Sequence, residues 1–277
     1  MPTIPGKNDI ELIALDLDGT VMCPLGKQPV SERTKRAVRD LMEAGVAVTF
    51  VTGRTEDYAL PLVREFGLST PLVTYNGGRL YCPEQDKVLH QSSIEQEDAA
   101  AVTDWLMEAD EVVACYISRE GKLKLYQSRC SGDPAQDDYL FGTPRRITPK
   151  LSNEILKEGN SVSKLIVVTQ RPLETEVPER FGKVADVVRT HHLLLEMLPS
   201  GVSKGSGIEQ LCRHLDIDPQ RVVAVGDQAN DIPTFRVCGF SVAMGDAPEA
   251  VKEAASYVTG TFEDDGCAEF LERLLGA

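Results

Sequence analysis

From residue 10 onward, short apolar runs alternate with amphipathic stretches: IELIAL, SERTKRAVRDLMEAG, VAVTFV, TEDYALPLVREFG and PLVTY. This reads as strand, helix, strand, helix, strand, the rhythm of a parallel sheet covered by helices on both faces. Gly45 and Gly67 stand where C-terminal caps belong. The same rhythm returns near the end in SKGSGIEQLCRHL, RVVAVG, NDIPTFRVC, FSVAM, APEAVKEAA and CAEFLERLL. The two ends are therefore expected to be halves of one α/β core with a doubly wound parallel sheet, built from residues 1–82 and 191–277.

Residues 83–190 follow another pattern. A helix is expected at 95–108, opened by a Ser93-to-Gln96 capping box, followed by strands at YIS, KLKLY, KLIVVT and VADVVRT. This middle reads as an inserted α+β domain. Residues 128–150 are rich in turn formers and carry no clear element.

Composition narrows the function classes. The 277 residues are 42% hydrophobic and 26% charged, ordinary for a soluble globular chain, with a formal net charge of -14. Such a charge disfavours nucleic acid and anionic membrane as partners, and an anionic substrate would need local help such as a cation. No apolar stretch approaches the roughly 20 residues of a membrane span, and MPTIPGKNDIE lacks the order of a signal peptide, so a cytoplasmic location is expected. Seven scattered cysteines without a C-x-x-C pair read as reduced thiols.

The unusual polar residues all follow strands, where ligands of open α/β sheets sit. Asp16 and Asp18 end the first strand, Thr52-Gly53-Arg54 the second, Asn76-Gly77-Gly78 the third, and Gly226-Asp227 the one after the insertion. In extended chain, Asp16 and Asp18 point to one side and can address one site. Asp16 suits a carboxylate nucleophile that forms an aspartyl phosphate, and Asp18 the acid and base that serves the leaving alcohol and then the attacking water. Asp227 and Asp231, four apart at a strand-to-helix junction, suggest a magnesium ion held with Asp16 and the backbone carbonyl of Asp18. Thr52, the Gly53 amide and Lys204 would stabilise charge on the phosphoryl oxygens. Arg54, Asn76 and Asn230 complete the candidate phosphate-binding set.

Asp-Leu-Asp-Gly-Thr at 16–20, Thr-Gly-Arg at 52–54, Ser-Lys-Gly at 203–205 and Gly-Asp-x-x-Asn-Asp at 226–231 resemble the four motifs of the haloacid dehalogenase-like hydrolases. Their order and spacing are similar to the Cof-type phosphatase subfamily, and Tyr75-Asn76-Gly77-Gly78 is similar to its turn before the inserted cap. The resemblance implies a Rossmann-like core, a cap that closes over substrate and selects the leaving group, and magnesium-dependent hydrolysis of small phosphate monoesters, sugar phosphates first. Asp246 and the Glu263–Gly266 turn depart from asparagines usual in the family, at positions without a catalytic role.

Alternatives remain beside this reading. A phosphomutase, or a phosphatase for sugar acids or disaccharides, would share the core. A non-catalytic phospho-acceptor would share the acidic pocket but have no use for Asp18. Arg145 and Arg146 read as a solvated loop pair, with a hold on a second substrate anion as the other reading. His191 and His192 are expected at the return to the core in a packed or hinge-side role rather than as ligands. Glu196 either orients Lys204 or faces water, Cys23 has no chemical role, and Trp105 packs in a core. The sequence leaves oligomeric state and physiological substrate open.

Overall fold

The computed structural model describes residues 3–23, 29–132, 137, 145–191 and 193–276. In chain order its strands are β1 (Leu12–Leu15), β2 (Ala47–Phe50), β3 (Leu72–Thr74), β4 (Arg79–Cys82), β5 (Lys87–Gln91), β6 (Val112–Arg119) and β7 (Lys122–Gln127). Then come β8 (Arg145–Ile147), β9 (Asn160–Val168), β10 (Asp186–His191), β11 (Leu194–Leu198), β12 (Val222–Gly226), β13 (Phe240–Ala243) and β14 (Tyr257–Val258). The chain forms two units, Met1–His90 with Ser203–Ala277, and Gln91–Val202.

The first unit holds a parallel sheet in the order β14-β13-β12-β1-β2, and a bridge between Val51 and Val73 carries β3 alongside. From β1 the chain winds outward through β2, then returns to β12 on the other side of β1. The strand order thus reverses between β1 and β12, and the carboxyl ends of these two strands flank the switch point.

Strict alternation explains why helices cover both faces. Ile13, Leu15, Val48, Phe50, Val223 and Val225 pack with Val38 and Leu41 of the helix Glu32–Glu43 and with Phe270, Leu271 and Leu274 of the helix Gly266–Gly276. Leu12, Ala14, Val222 and Ala224 face the other way, against Ile208 and Leu211 of the helix Lys204–Leu215 and Phe235 of the helix Ile232–Val237. Each fully buried Leu or Phe contributes roughly 1.5–3 kcal/mol. Ser31, Thr55 and Ser203 cap their helices by accepting the N–H groups of Thr34, Tyr58 and Ser206. Gly67 closes the helix Glu56–Phe66 with φ of 69°.

The second unit is built on a six-stranded sheet ordered β10-β11-β9-β6-β7-β8, whose pairs are antiparallel except β7 with β8. Val113, Cys115, Ile117, Leu165, Val167 and Leu195 on one face pack with Val102 and Leu106 of the helix Gln96–Glu108 and with Leu151, Ile155 and Val177 of two shorter helices. Trp105 packs against this cluster, edge-on to Phe181.

The units meet after His90 and before Ser203, where the sequence reading set 82 and 191; β11 pairs with both β9 and β10 and so belongs with the second sheet. The Ser93-to-Gln96 capping box does not form: Glu95 is the N-cap residue, and the Gln96 amide donates to the Ile155 and Lys157 carbonyls. His191 ends β10, and His192 lies outside the described residues, as do 133–136 and 138–144 of the turn-rich segment. The seven cysteines form no disulfide, and no described helix is long and apolar enough to cross a membrane.

Candidate active site

β1 ends at Leu15, yet its ladder continues for one step, since the Asp16 N–H donates to the Val225 carbonyl at 3.0 Å. Asp16 therefore keeps the parity of Leu12 and Ala14, which face the helix Lys204–Leu215. Lys204 is that helix's first residue, and its buried Nζ donates to Asp16 Oδ1 and to Asp231 Oδ1, each at 2.7 Å. Asp231 Oδ2 accepts the N–H groups of Asp227 and Gln228, both at 3.0 Å, which curls the loop after β12 around its carboxylate. Asp227 accepts from Gln228 Nε2 at 2.9 Å and from Thr20 Oγ1 at 3.4 Å. Two glycines make this approach possible. A Cβ on Gly19, whose φ is 84°, would run into the Asp227 carboxylate, and one on Gly226 into that of Asp231.

The charges are out of balance. Asp16, Asp227 and Asp231 are all buried and offer ligand oxygens within 4.8 Å of one another, with the Lys204 ammonium bonded to Asp16 and Asp231. Burial is the main force holding the Asp16 carboxyl well above the usual carboxylate range, and Asp231 and Asp227 add to it while Lys204 opposes. Burial raises Asp227 as well, with Asp231 adding to it. Burial alone would lower Lys204, but Asp16 and Asp231 outweigh it and push the ammonium up. Three carboxylates facing one ammonium attract a further cation, and an all-oxygen donor set suits a hard divalent ion such as magnesium. The residues present fit that ion.

A second part of the site is organised by the loop after β2. Leu17 packs on the same face as Ile13 and Leu15, and its carbonyl accepts from Val21 and Met22 as the chain turns. Asp18 meets Arg54 in a two-point fork with Nε to Oδ2 and Nη2 to Oδ1 both at 2.9 Å. The guanidinium also lies 4.5 Å from the centre of the Tyr58 ring. Thr52 is buried, and its Oγ1 accepts the Arg54 N–H at 3.1 Å. Gly53 lies so close to the Asn76 amide that a Cβ there would sit 3.0 Å from its oxygen. That same oxygen accepts from Asn230 Nδ2 at 3.0 Å.

Asp16, Asp227, Asp231 and Lys204 thus form one bonded cluster, while Asp18 with Arg54, and Gly53 with Asn76 and Asn230, are further contacts among the expected residues. Thr20 and Gln228 support Asp227 but were not expected; both lie inside the motifs, with nothing in residue type to single them out. Glu196 neither orients Lys204 nor faces water, being buried in the second unit and bonded to Lys164 Nζ at 3.0 Å. Arg145 lies 3.8 Å from buried Asp137, and Arg146 is exposed.

Comparison with known proteins gives the family. The model of the haloacid dehalogenase-like hydrolases matches residues 13–271. The chain is 26% identical to the 5-amino-6-(5-phospho-D-ribitylamino)uracil phosphatase YwtE of Bacillus subtilis, with 96% of this chain and 98% of the relative aligned. Among solved structures it resembles TM0651 of Thermotoga maritima, with a TM-score of 0.83, 27% identity and coverage of 95% of this chain and 97% of that one. It also resembles a haloacid dehalogenase-like hydrolase of Bacteroides thetaiotaomicron, with a TM-score of 0.81, 27% identity and coverage of 96% and 99%. With its switch-point carboxylates, its buried lysine and a family match over nearly its whole length, the chain belongs to the haloacid dehalogenase-like hydrolase family and is a phosphatase of that family.

Proposed function

We propose that the protein hydrolyses small phosphate monoesters by way of an aspartyl phosphate on Asp16. The observation that carries this reading is the buried Asp16 carboxylate at the strand-order reversal, with one oxygen fixed by Lys204. Its other oxygen attacks phosphorus, and the bond from phosphorus to the leaving oxygen breaks. Asp18 gives its proton to that oxygen, then removes one from the water that attacks phosphorus, so that Asp16 is regenerated and inorganic phosphate released. For both transfers Asp18 must come off the Arg54 fork. The freed guanidinium is then available to a phosphoryl oxygen. Lys204, Thr52 and the Gly53 amide meet the charge that develops on the other phosphoryl oxygens. Magnesium, held by Asp16, Asp227 and Asp231 with the Asp18 carbonyl, would supply Lewis-acid stabilisation and charge neutralisation.

The relatives lend support to one substrate class. YwtE is named for a phosphate on a ribityl chain, which supports a polyhydroxylated phosphate ester, a sugar or sugar-alcohol phosphate, as substrate here. The second unit is assigned the choice of leaving group. The test is phosphate release from an aryl phosphate and a panel of sugar phosphates, with and without magnesium, for the wild type and Asp16→Asn. Turnover that requires magnesium and disappears in Asp16→Asn is expected. Isomerised substrate without phosphate release would point to a mutase, and turnover retained by Asp16→Asn would exclude the nucleophile.

A further inference from the structure

Behind the Thr52-Gly53-Arg54 loop lies another ion pair, one with no part in the reaction as written. Glu56 opens the helix Glu56–Phe66 and Arg79 opens β4; Arg79 Nε lies 2.7 Å from Glu56 Oε1, with side chains 2% and 10% exposed. Thr74 Oγ1 donates to the same oxygen at 3.2 Å, and the Arg79 guanidinium lies 5.8 Å from the centre of the Tyr75 ring. Two charges taken out of water at that depth are a poor device for stability alone.

The residues between Thr74 and Arg79 show what the pair encloses. Tyr75, Asn76 and Gly77 have φ of 52°, 54° and 96°, three successive left-handed residues of which two carry side chains. Such a run persists only where its surroundings hold it. The Tyr75 N–H donates to the Arg54 carbonyl at 3.1 Å and the Asn76 N–H to the Thr52 carbonyl at 3.0 Å. Three loops of the site converge on this turn. Asn76 bonds Asn230, the Asn76 amide lies against Gly53, and Gly77 is pressed so closely on the carbonyl of Ser203, the residue before Lys204, that no Cβ would fit.

We propose that Glu56 and Arg79 are positioning residues: their buried pair ties the helix start to β4 and fixes the left-handed turn on which Thr52, Asn230 and Lys204 are aligned. The inference rests on the reading of Asp16 and Lys204 as the reacting centre. A pair that only held the fold together would alter stability and leave the folded enzyme's chemistry intact. A positioning pair changes kcat while KM stays, because the displaced groups act on the transition state.

Two variants separate these roles in magnesium-supported hydrolysis of an aryl phosphate, with the thermal midpoint of each protein measured alongside. Arg79→Lys keeps the charge and removes the planar fork, and is expected to lower kcat about tenfold with KM within about threefold. The double variant Glu56→Met/Arg79→Met removes both charges together, a change that often leaves stability intact; a near-wild-type midpoint with kcat down about 10²-fold is expected. If the double variant does not fold, Arg79→Lys decides. Wild-type kcat in the folded variants, or losses that follow only the folded fraction, would overturn the proposal. Asp16→Asn in the same assay keeps the two readings apart: turnover there would refute the reacting centre, whereas its inactivity beside fully active Glu56 and Arg79 variants would refute the positioning role alone.

Discussion

At the scale of single residues, the site is governed by an excess of buried negative charge. Asp227→Asn removes one carboxylate from the cluster around Lys204 without removing a partner of the ammonium. In metal-free protein at pH 7 the thermal midpoint is expected to rise by about 2–4 °C, the scale of a 1 kcal/mol gain, and the stabilisation by added magnesium to shrink. Thermal melts with and without magnesium check both. The pH dependence has a definite sign. Asp16 and Asp227 hold their protons to higher pH when folded than unfolded, so their contribution is greatest below the unfolded carboxylate range and is lost as pH rises through the folded values. Hence the difference in midpoint between Asp227→Asn and the metal-free wild type should narrow as pH is lowered from 7 toward 4. Lys204→Met strands Asp16 and Asp231 without their cation; a loss of about 3–5 kcal/mol in chemical denaturation and a fall in kcat of at least about 10²-fold are expected. Asp16, Asp227, Asp231 and Lys204 were legible in the sequence because each stands where a strand ends or a helix begins. The Arg54 grip on Asp18 was not, because it joins residues 36 apart in the chain, and residue type alone does not say which distant partner a carboxylate meets.

At the scale of elements, glycines set how closely the loops approach. Gly77→Ala combines an unfavourable φ with a collision against the Ser203 carbonyl, and a loss of at least about 1–3 kcal/mol in denaturant unfolding is expected. A loss under half of that would mean that the turn and the helix Lys204–Leu215 separate at little cost. The parallel core was readable because β1, β2, β12 and β13 are apolar runs set between amphipathic helices. The second unit was less so. β11, Leu-Leu-Glu-Met-Leu, has a buried glutamate on its sheet whose partner Lys164 lies 32 residues away. Gln96 likewise reaches across to Ile155 and Lys157 rather than back to Ser93, a choice made by packing of two helices and not by local sequence. Glu56 is an acidic residue in a first helical turn, and only Arg79 in a neighbouring strand makes it part of something else.

For the whole molecule, a net charge of -14 works against an anionic substrate at long range. With magnesium held constant, raising the ionic strength from about 20 to about 150 mM should raise kcat/KM for a sugar phosphate modestly, since screening weakens repulsion beyond about 8 Å. A steep fall would instead indicate a positive surface steering the substrate. The proposed chemistry turns on one covalent bond, which mass analysis of protein quenched in acid within its first turnovers on an aryl phosphate, followed by peptide mapping, detects. One phosphoryl group is expected on the peptide that contains Asp16, present with magnesium and lost in Asp16→Asn. Rapid hydrolysis with no phosphoryl group on that peptide at any quench time, or a phosphoryl group on another residue, would contradict it.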